Sequence, residues 1–175
     1  MSEIIILVDK NDKEIGYMEK LEAHKNGGTL HRAFSIFIFN SRGQMLLQKR
    51  SIKKHHFGGL WTNACCSHPL KGETLDHAVH RKLPHELGFD CSTKEIFSFI
   101  YQADWDNGLS EHEFDHVFVG IYDGEIDPNL EEIDEYKYVD ISWLKNDVKI
   151  HPENYTPWFR IALPKVLEHV PKIYD

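Results

Sequence analysis

The chain has 175 residues, enough for one domain that buries about two thirds of its unfolded surface around a real core. Its net charge of −8 excludes a general nucleic-acid or acidic-membrane surface, and its longest apolar runs, residues 4–8 and 34–39, fall far short of the ~20 residues a membrane span needs. Met1-Ser2-Glu3 does not open an export signal and the three cysteines form no disulfide framework, so a soluble protein of the cytoplasm carrying free thiols is expected.

Residues 4–8 and 14–18 read as an opening hairpin around the Asn11-Asp12 turn. A helix begun at Lys20 is broken by Gly27-Gly28, which leaves His24 before a flexible turn and His31 at the start of the next strand. From Leu30 to Phe39, alternation puts His31, Ala33, Ser35, Phe37 and Phe39 on one face and Phe34, Ile36 and Ile38 on the other, as in a central strand. Residues 40–43 then turn the chain into a hairpin partner over 44–50.

A basic loop, Ser51-Ile52-Lys53-Lys54-His55-His56, leads through Gly58-Gly59 into Trp61-Thr62-Asn63-Ala64-Cys65-Cys66-Ser67-His68-Pro69. Such a loop is ordinarily solvated surface, and beside this segment it is equally a candidate for facing phosphate. Residues i and i+2 of an extended segment share a face, so Cys66 and His68 stand together. Thr74 can cap a helix ending at Gly88, with Pro84 expected to kink it near His80.

A strand follows over 96–103, a loop over 104–108, and a second strand that sets Glu111 and Glu113 on one face above Val117, Val119 and Ile121. Carboxylates aimed the same way repel unless something positive lies between them. A short strand at 136–139, a brief helix from Ile141 and a final helix opened by Thr156-Pro157, with a kink at Pro164, complete the chain. The pattern lacks βαβ regularity. It predicts an α+β fold of mixed and antiparallel sheets packed between helices.

His24, His31, His68, Glu111 and Glu113 come from separate segments, and each has an ordinary structural explanation. Together they would make a nitrogen and oxygen sphere suited to Mn²⁺, Zn²⁺ or Mg²⁺.

His24 and His31 seven apart, the Trp-Thr-Asn-x-Cys-Cys-Ser-His-Pro segment, and Glu111-His112-Glu113-Phe114 resemble the type I isopentenyl-diphosphate isomerases of the Nudix superfamily. The resemblance runs from about Lys20 to Trp158 and implies one Nudix-type domain over residues 1–175. The Nudix box, Gly-x5-Glu-x7-Arg-Glu-U-x-Glu-Glu-x-Gly-U with U aliphatic, fits in degraded form. It falls on Ser67, Glu73, Arg81-Lys82, His85-Glu86 and Gly88-Phe89. Lys82 and His85 replace two acids that would gather ions for hydrolysis, so the alternative of a Nudix hydrolase of a nucleoside or other diphosphate is disfavoured.

By this resemblance Cys66 exchanges a proton on one face of the substrate's alkene, and Glu113, beside Tyr101, does so on the other. His24, His31, His68, Glu111 and Glu113 hold a divalent ion, and Glu86 holds Mg²⁺ on the diphosphate. Lys20, Arg50, Lys54 and Arg81 would bind that diphosphate, with Lys82 a further cation, and Trp158 would face a carbocation. Cys65 and Cys91 have no assigned role. A monomer acting on a small prenyl diphosphate is expected, with no nucleic-acid or membrane partner.

Overall fold

In the computed structural model, which describes residues 2–173, a mixed sheet of nine strands lies between helices. β1 (Ile4–Val8) and β2 (Glu14–Glu19) form the opening hairpin. In its turn the Asp9 carboxylate accepts from the Asn11 and Lys13 amides at 2.8 and 3.0 Å. The one-turn helix α1 (Lys20–Ala23) follows directly, capped by the Glu19 side chain on the Glu22 amide.

β3 (His31–Phe39) is the central strand, buried everywhere except at the half-buried Arg32. β8 (Ser110–Ile121) runs parallel along one whole edge, from His31 opposite Glu113 to Phe39 opposite Ile121. The other edge is shared by β1, by β6 (Cys65–Ser67) and, at one pair only, by β4 (Met45–Arg50). The expected hairpin over residues 44–50 therefore holds only at its closing pair, Phe39 with Met45. Beyond it β4 diverges to pair with β5 (Trp61–Thr62) and β9 (Ile133–Val139). The segment 61–67 bonds first to β4 and then to β3, so it spans the fork between them and carries Cys66 there.

β7 (Thr93–Asp104) pairs antiparallel with β8, setting Tyr101 opposite Glu113 and Ala103 opposite Glu111. Strand register alone thus places His31, Glu113 and Tyr101 in one row across three strands. Farther along the same face, Phe37, Phe39, Val117 and Val119 pack with Trp158, Phe159 and Leu163 of α4 (Pro157–Ile173). The opposite face packs Phe34, Ile36 and Ile38 against Ala78, Val79, Leu83 and Leu87 of α2 (Leu75–Leu87).

Thr74 caps α2 through its hydroxyl, and Gly88 ends it at φ +74°. Neither internal proline ends its helix: α2 continues past Pro84 to Leu87, and α4 continues past Pro164. Pro84 sits in the last turn, where few bonds remain to break and Leu83, Glu86 and Leu87 are buried. The helix from Ile141 is longer than expected: α3 runs to Ile150.

Candidate active site

Where these elements meet, a cavity of about 350 Å³ is lined by Cys66, His68, Glu86, Glu111, Glu113 and Trp158 on its inner side. Lys20, Arg50, Lys53 and Lys54 line it toward solvent, and the buried Lys82 lines it beside Glu86. His24, His31 and Tyr101 stand behind that wall, buried and in contact with its carboxylates.

The register fixes the inner cluster. His24, His31, His68, Glu111 and Glu113 each offer one ligand atom, and these atoms all lie within 4.8 Å of one another. His24 Nε2 lies 3.1 Å from Glu111 Oε2, while His31 Nε2 and His68 Nε2 lie 3.2 and 2.7 Å from Glu113 Oε2. The Nδ1 atoms of His24 and His31 meet the carbonyls of Lys20 and Thr29 at 2.6 and 2.7 Å. A carbonyl only accepts, so Nδ1 carries the hydrogen in each ring, and in a neutral ring Nε2 turns a lone pair toward a carboxylate. Two lone pairs face each other stably only across a proton or a metal ion.

The protonation pattern agrees. Burial opposes charge on His24, but the hydrogen bond and charge of Glu111 outweigh it and hold His24 up to about 9. His68 is pushed down to about 4, chiefly by burial. Burial raises Glu111, yet its bonds to His24 and His56 hold it well below the usual carboxylate range. For Glu113, burial and the Glu111 charge are overcome by His31 and His68, which hold it low. This donor set fits a divalent ion of the kind nitrogen and carboxylate ligands share.

Cys66 lines the same cavity. Its thiol donates to Asn63 Oδ1 at 3.2 Å, and the sulfur receives the Trp158 indole N–H at 3.0 Å, with Ser35 Oγ 3.8 Å away. Burial above all, then the Asp115 charge, pushes the thiol up to about 12, so it is neutral at physiological pH. The Tyr101 hydroxyl donates to Oε1 of Glu113, which lines the same cavity. Burial, followed by the Glu113 charge, holds that phenol well above its ordinary value.

The lining lysines rest on glutamates: toward solvent, Lys20 on Glu3 at 3.3 Å, Lys53 on Glu131 at 3.9 Å and Lys54 on Glu132, and, buried, Lys82 on Glu86 at 3.9 Å. Arg50 donates to the carbonyls of Phe57 and His56, and its guanidinium carbon lies 5.2 Å from the Trp158 ring centroid. One face of that indole, expected to meet a carbocation, is therefore already covered by a cation.

Arg81 does not reach the cavity wall. It forms a forked pair with Glu73 at 2.7 and 2.8 Å and donates to the His68 carbonyl at 3.2 Å, which makes it a brace for the His68 segment. Glu86, whose position Pro84 put in question, lines the cavity and accepts from Cys65 Sγ at 2.8 Å. Cys65 is thus a buried donor to that carboxylate.

Reasoning from sequence missed four contributors. Asn63 orients the thiol, Ser35 and Asp115 form a buried pair 2.7 Å apart behind it, and His56 grips Glu111. Alternation had put Ser35 on the face of His31, and Asn63 lay inside the singled-out segment. Nothing in the local pattern pointed His56 toward Glu111.

Solved structures show the same fold. DR0079 from Deinococcus radiodurans superposes with a TM-score of 0.74 over 99% of this chain and 100% of that one, at 20% identity. The MutT protein from Methanosarcina mazei Go1 gives 0.62 over 82% and 94%, at 19% identity. The NUDIX domain model matches residues 29–159. The chain is 50% identical over 160 residues to isopentenyl-diphosphate Delta-isomerase 2 of Photorhabdus laumondii, covering 91% of this chain and 90% of that protein. It is 46% identical over 167 residues to isopentenyl-diphosphate Delta-isomerase 2 of Aromatoleum aromaticum, covering 95% and 88%. With a domain match over most of its length and relatives up to 50% identical over about nine tenths of both chains, the chain belongs to the isopentenyl-diphosphate Delta-isomerase family within the Nudix fold.

Proposed function

We propose that this protein interconverts isopentenyl and dimethylallyl diphosphate in the cytoplasm, as a monomer of one domain over residues 1–175. The observation that carries this reading is a neutral thiol and a carboxylate–phenol pair lining or backing one cavity whose open end is rimmed by cations.

Moving an alkene from C3–C4 to C2–C3 requires a proton to be added at C4 and another to be removed from C2. The intermediate is a tertiary cation that water must not reach. Cys66 and the Tyr101–Glu113 pair serve opposite faces of the five-carbon tail. Each turnover moves one proton from one of them to the alkene and returns one to the other. The reaction is reversible, so the acid of one direction is the base of the reverse.

His24, His31, His68, Glu111 and Glu113 would hold a divalent ion, Mn²⁺, Zn²⁺ or Mg²⁺, and Glu86 would hold Mg²⁺ on the diphosphate. When bound, the first ion withdraws charge from Glu113 and sharpens the acidity of the Tyr101–Glu113 pair. Lys20, Arg50 and Lys54 attract the diphosphate, with lysines exchanging their glutamates for phosphate oxygens. Arg81 acts at one remove by bracing His68. Trp158 holds the sulfur through its N–H and screens the tail from water.

Isopentenyl diphosphate incubated with the protein and Mg²⁺ in heavy water and followed by NMR should yield deuterated dimethylallyl diphosphate. Release of phosphate or monophosphate instead would mean a hydrolase. Cys66→Ala should lower isomerisation by about 10³-fold or more, within the span of lost acid–base catalysis, with the fold and bound ion retained. Parental turnover by that variant would remove the proposed pair.

A further inference from the structure

Residues 51–60 form a strap between β4 and β5 that brings Lys53 and Lys54 to the cavity. Its backbone is folded inward: Arg50 donates to the carbonyls of His56 and Phe57 at 3.1 Å, and the Asn107 amide donates to the His55 carbonyl. Phe57 is buried edge-on to Trp158, with the ring centroids 5.5 Å apart. A Cβ at Gly58 would sit 2.9 Å from the Ser51 carbonyl, so the strap closes on itself only with glycine there.

His56 is the strap's one side chain hydrogen-bonded into the histidine–glutamate cluster. Its Nε2 contacts Glu111 Oε1, while the other oxygen of that carboxylate meets His24 Nε2 at 3.1 Å. The His24 and His56 rings lie 4.8 Å apart. His56 differs from His24 and His31 in one respect. Their Nδ1 atoms are locked onto backbone carbonyls, whereas its own Nδ1 is buried without a hydrogen-bond partner. Glu111 is therefore the polar anchor of the His56 ring.

We propose that His56 is a positioning residue of the metal centre: it holds Glu111 by one oxygen while the other faces the ion, and so couples ion occupancy to closure of the strap that carries Lys53 and Lys54. This rests on the reading that the cluster takes a divalent ion. A neutral imidazole suffices, since Nε2–H donates to the carboxylate. Second-sphere hydrogen bonds of this kind fix the ligand's direction and typically change metal affinity 10- to 100-fold.

The test needs no substrate. Mn²⁺ is titrated into the full chain freed of metal, unbound Mn²⁺ is read by electron paramagnetic resonance, and circular dichroism verifies each fold. His56→Ala should weaken Mn²⁺ binding by about 10- to 100-fold, and His56→Gln, which can still donate to Glu111, should recover much of it. Trypsin cleavage after Lys53 and Lys54 supplies the second readout. Mn²⁺ should slow it in the parent and leave His56→Ala unprotected.

Affinity within twofold of the parent in His56→Ala, a glutamine variant as weak as alanine, or equal Mn²⁺ protection of parent and His56→Ala would each overturn the proposal. His24→Ala separates this from the underlying reading. If the parent binds no Mn²⁺, or His24→Ala binds it as well as the parent, the metal centre itself is wrong. If His24→Ala loses the ion while His56→Ala keeps it, only the role of His56 fails.

Discussion

Asn63 shows how much a single buried amide can carry. Its Nδ2 donates to the carbonyls of Ile36 and Cys65 at 3.0 and 2.9 Å, and its Oδ1 accepts from Thr62 Oγ1 at 2.9 Å and from the Cys66 thiol at 3.2 Å. Asn63→Ala removes all four of these hydrogen bonds at a fully buried position and leaves the two carbonyls without this donor, while Thr62 keeps Thr156 and the Cys66 sulfur keeps the Trp158 N–H. It should cost about 2–4 kcal/mol, read as a lower denaturant midpoint at unchanged slope. Cys66 with His68, and Glu111 with Glu113, were legible because two-residue spacing sets each pair on a common strand face, whereas His24 and His31 were placed by the family resemblance and Asn63 was passed over inside its own motif segment. Asp115 and His56 were not legible, because their partners Ser35 and Glu111 lie 80 and 55 positions away and only the sheet brings them together.

At the scale of elements, α2 carries two separable tests. Glu73, just before the helix, is raised by burial, but the forked bond to Arg81, the Leu70 amide and His77 outweigh this and hold it down to about 2. A carboxyl depressed on folding adds stability above its unfolded value, 4.5, and loses that stability as pH falls toward 2. Glu73→Gln should therefore lower stability at pH 7 by about 1 kcal/mol, allowing for solvent screening, and flatten the acid limb between those values. At the other end Gly88 has φ +74°, and a Cβ there would lie 2.6 Å from the Asp127 carbonyl oxygen. Gly88→Ala should cost about 2–3 kcal/mol in thermal unfolding, from left-handed backbone strain and the displaced 127 segment together. Both ends of this helix were readable from Thr74 and Gly88. Its length beyond Pro84 followed from those two ends, and the buried Leu83, Glu86 and Leu87 are what hold that last turn in place. Nor could local turn chemistry reveal that β4 leaves β3 after one pair, since the edge it vacates is taken by β6 from another part of the chain.

For the whole molecule, the decisive feature is that the five candidate ligands arrive from α1's end, β3, the segment after β6, and β8. β3 divides two apolar clusters, Phe37 and Phe39 facing α4 and Phe34, Ile36 and Ile38 facing α2, so both share one backbone. An ion bound at the end of β3 would tie the opening hairpin, the strand fork and the β7–β8 pair to that same backbone. Binding to the native state alone adds RT ln(1 + [L]/Kd), about 2.7 kcal/mol when the ion is at a hundred times its Kd. For a chain of this size, that should move thermal unfolding up by roughly 5–10 °C. Mn²⁺ should produce this shift within one cooperative transition, and a chelator should reverse it. Cys66→Ala, which touches the thiol and not the ligand set, should keep the whole shift, whereas Glu113→Gln should lose most of it. A Glu113→Gln variant stabilised as strongly as the parent would place the ion elsewhere and separate the metal from the carboxylate that faces the substrate.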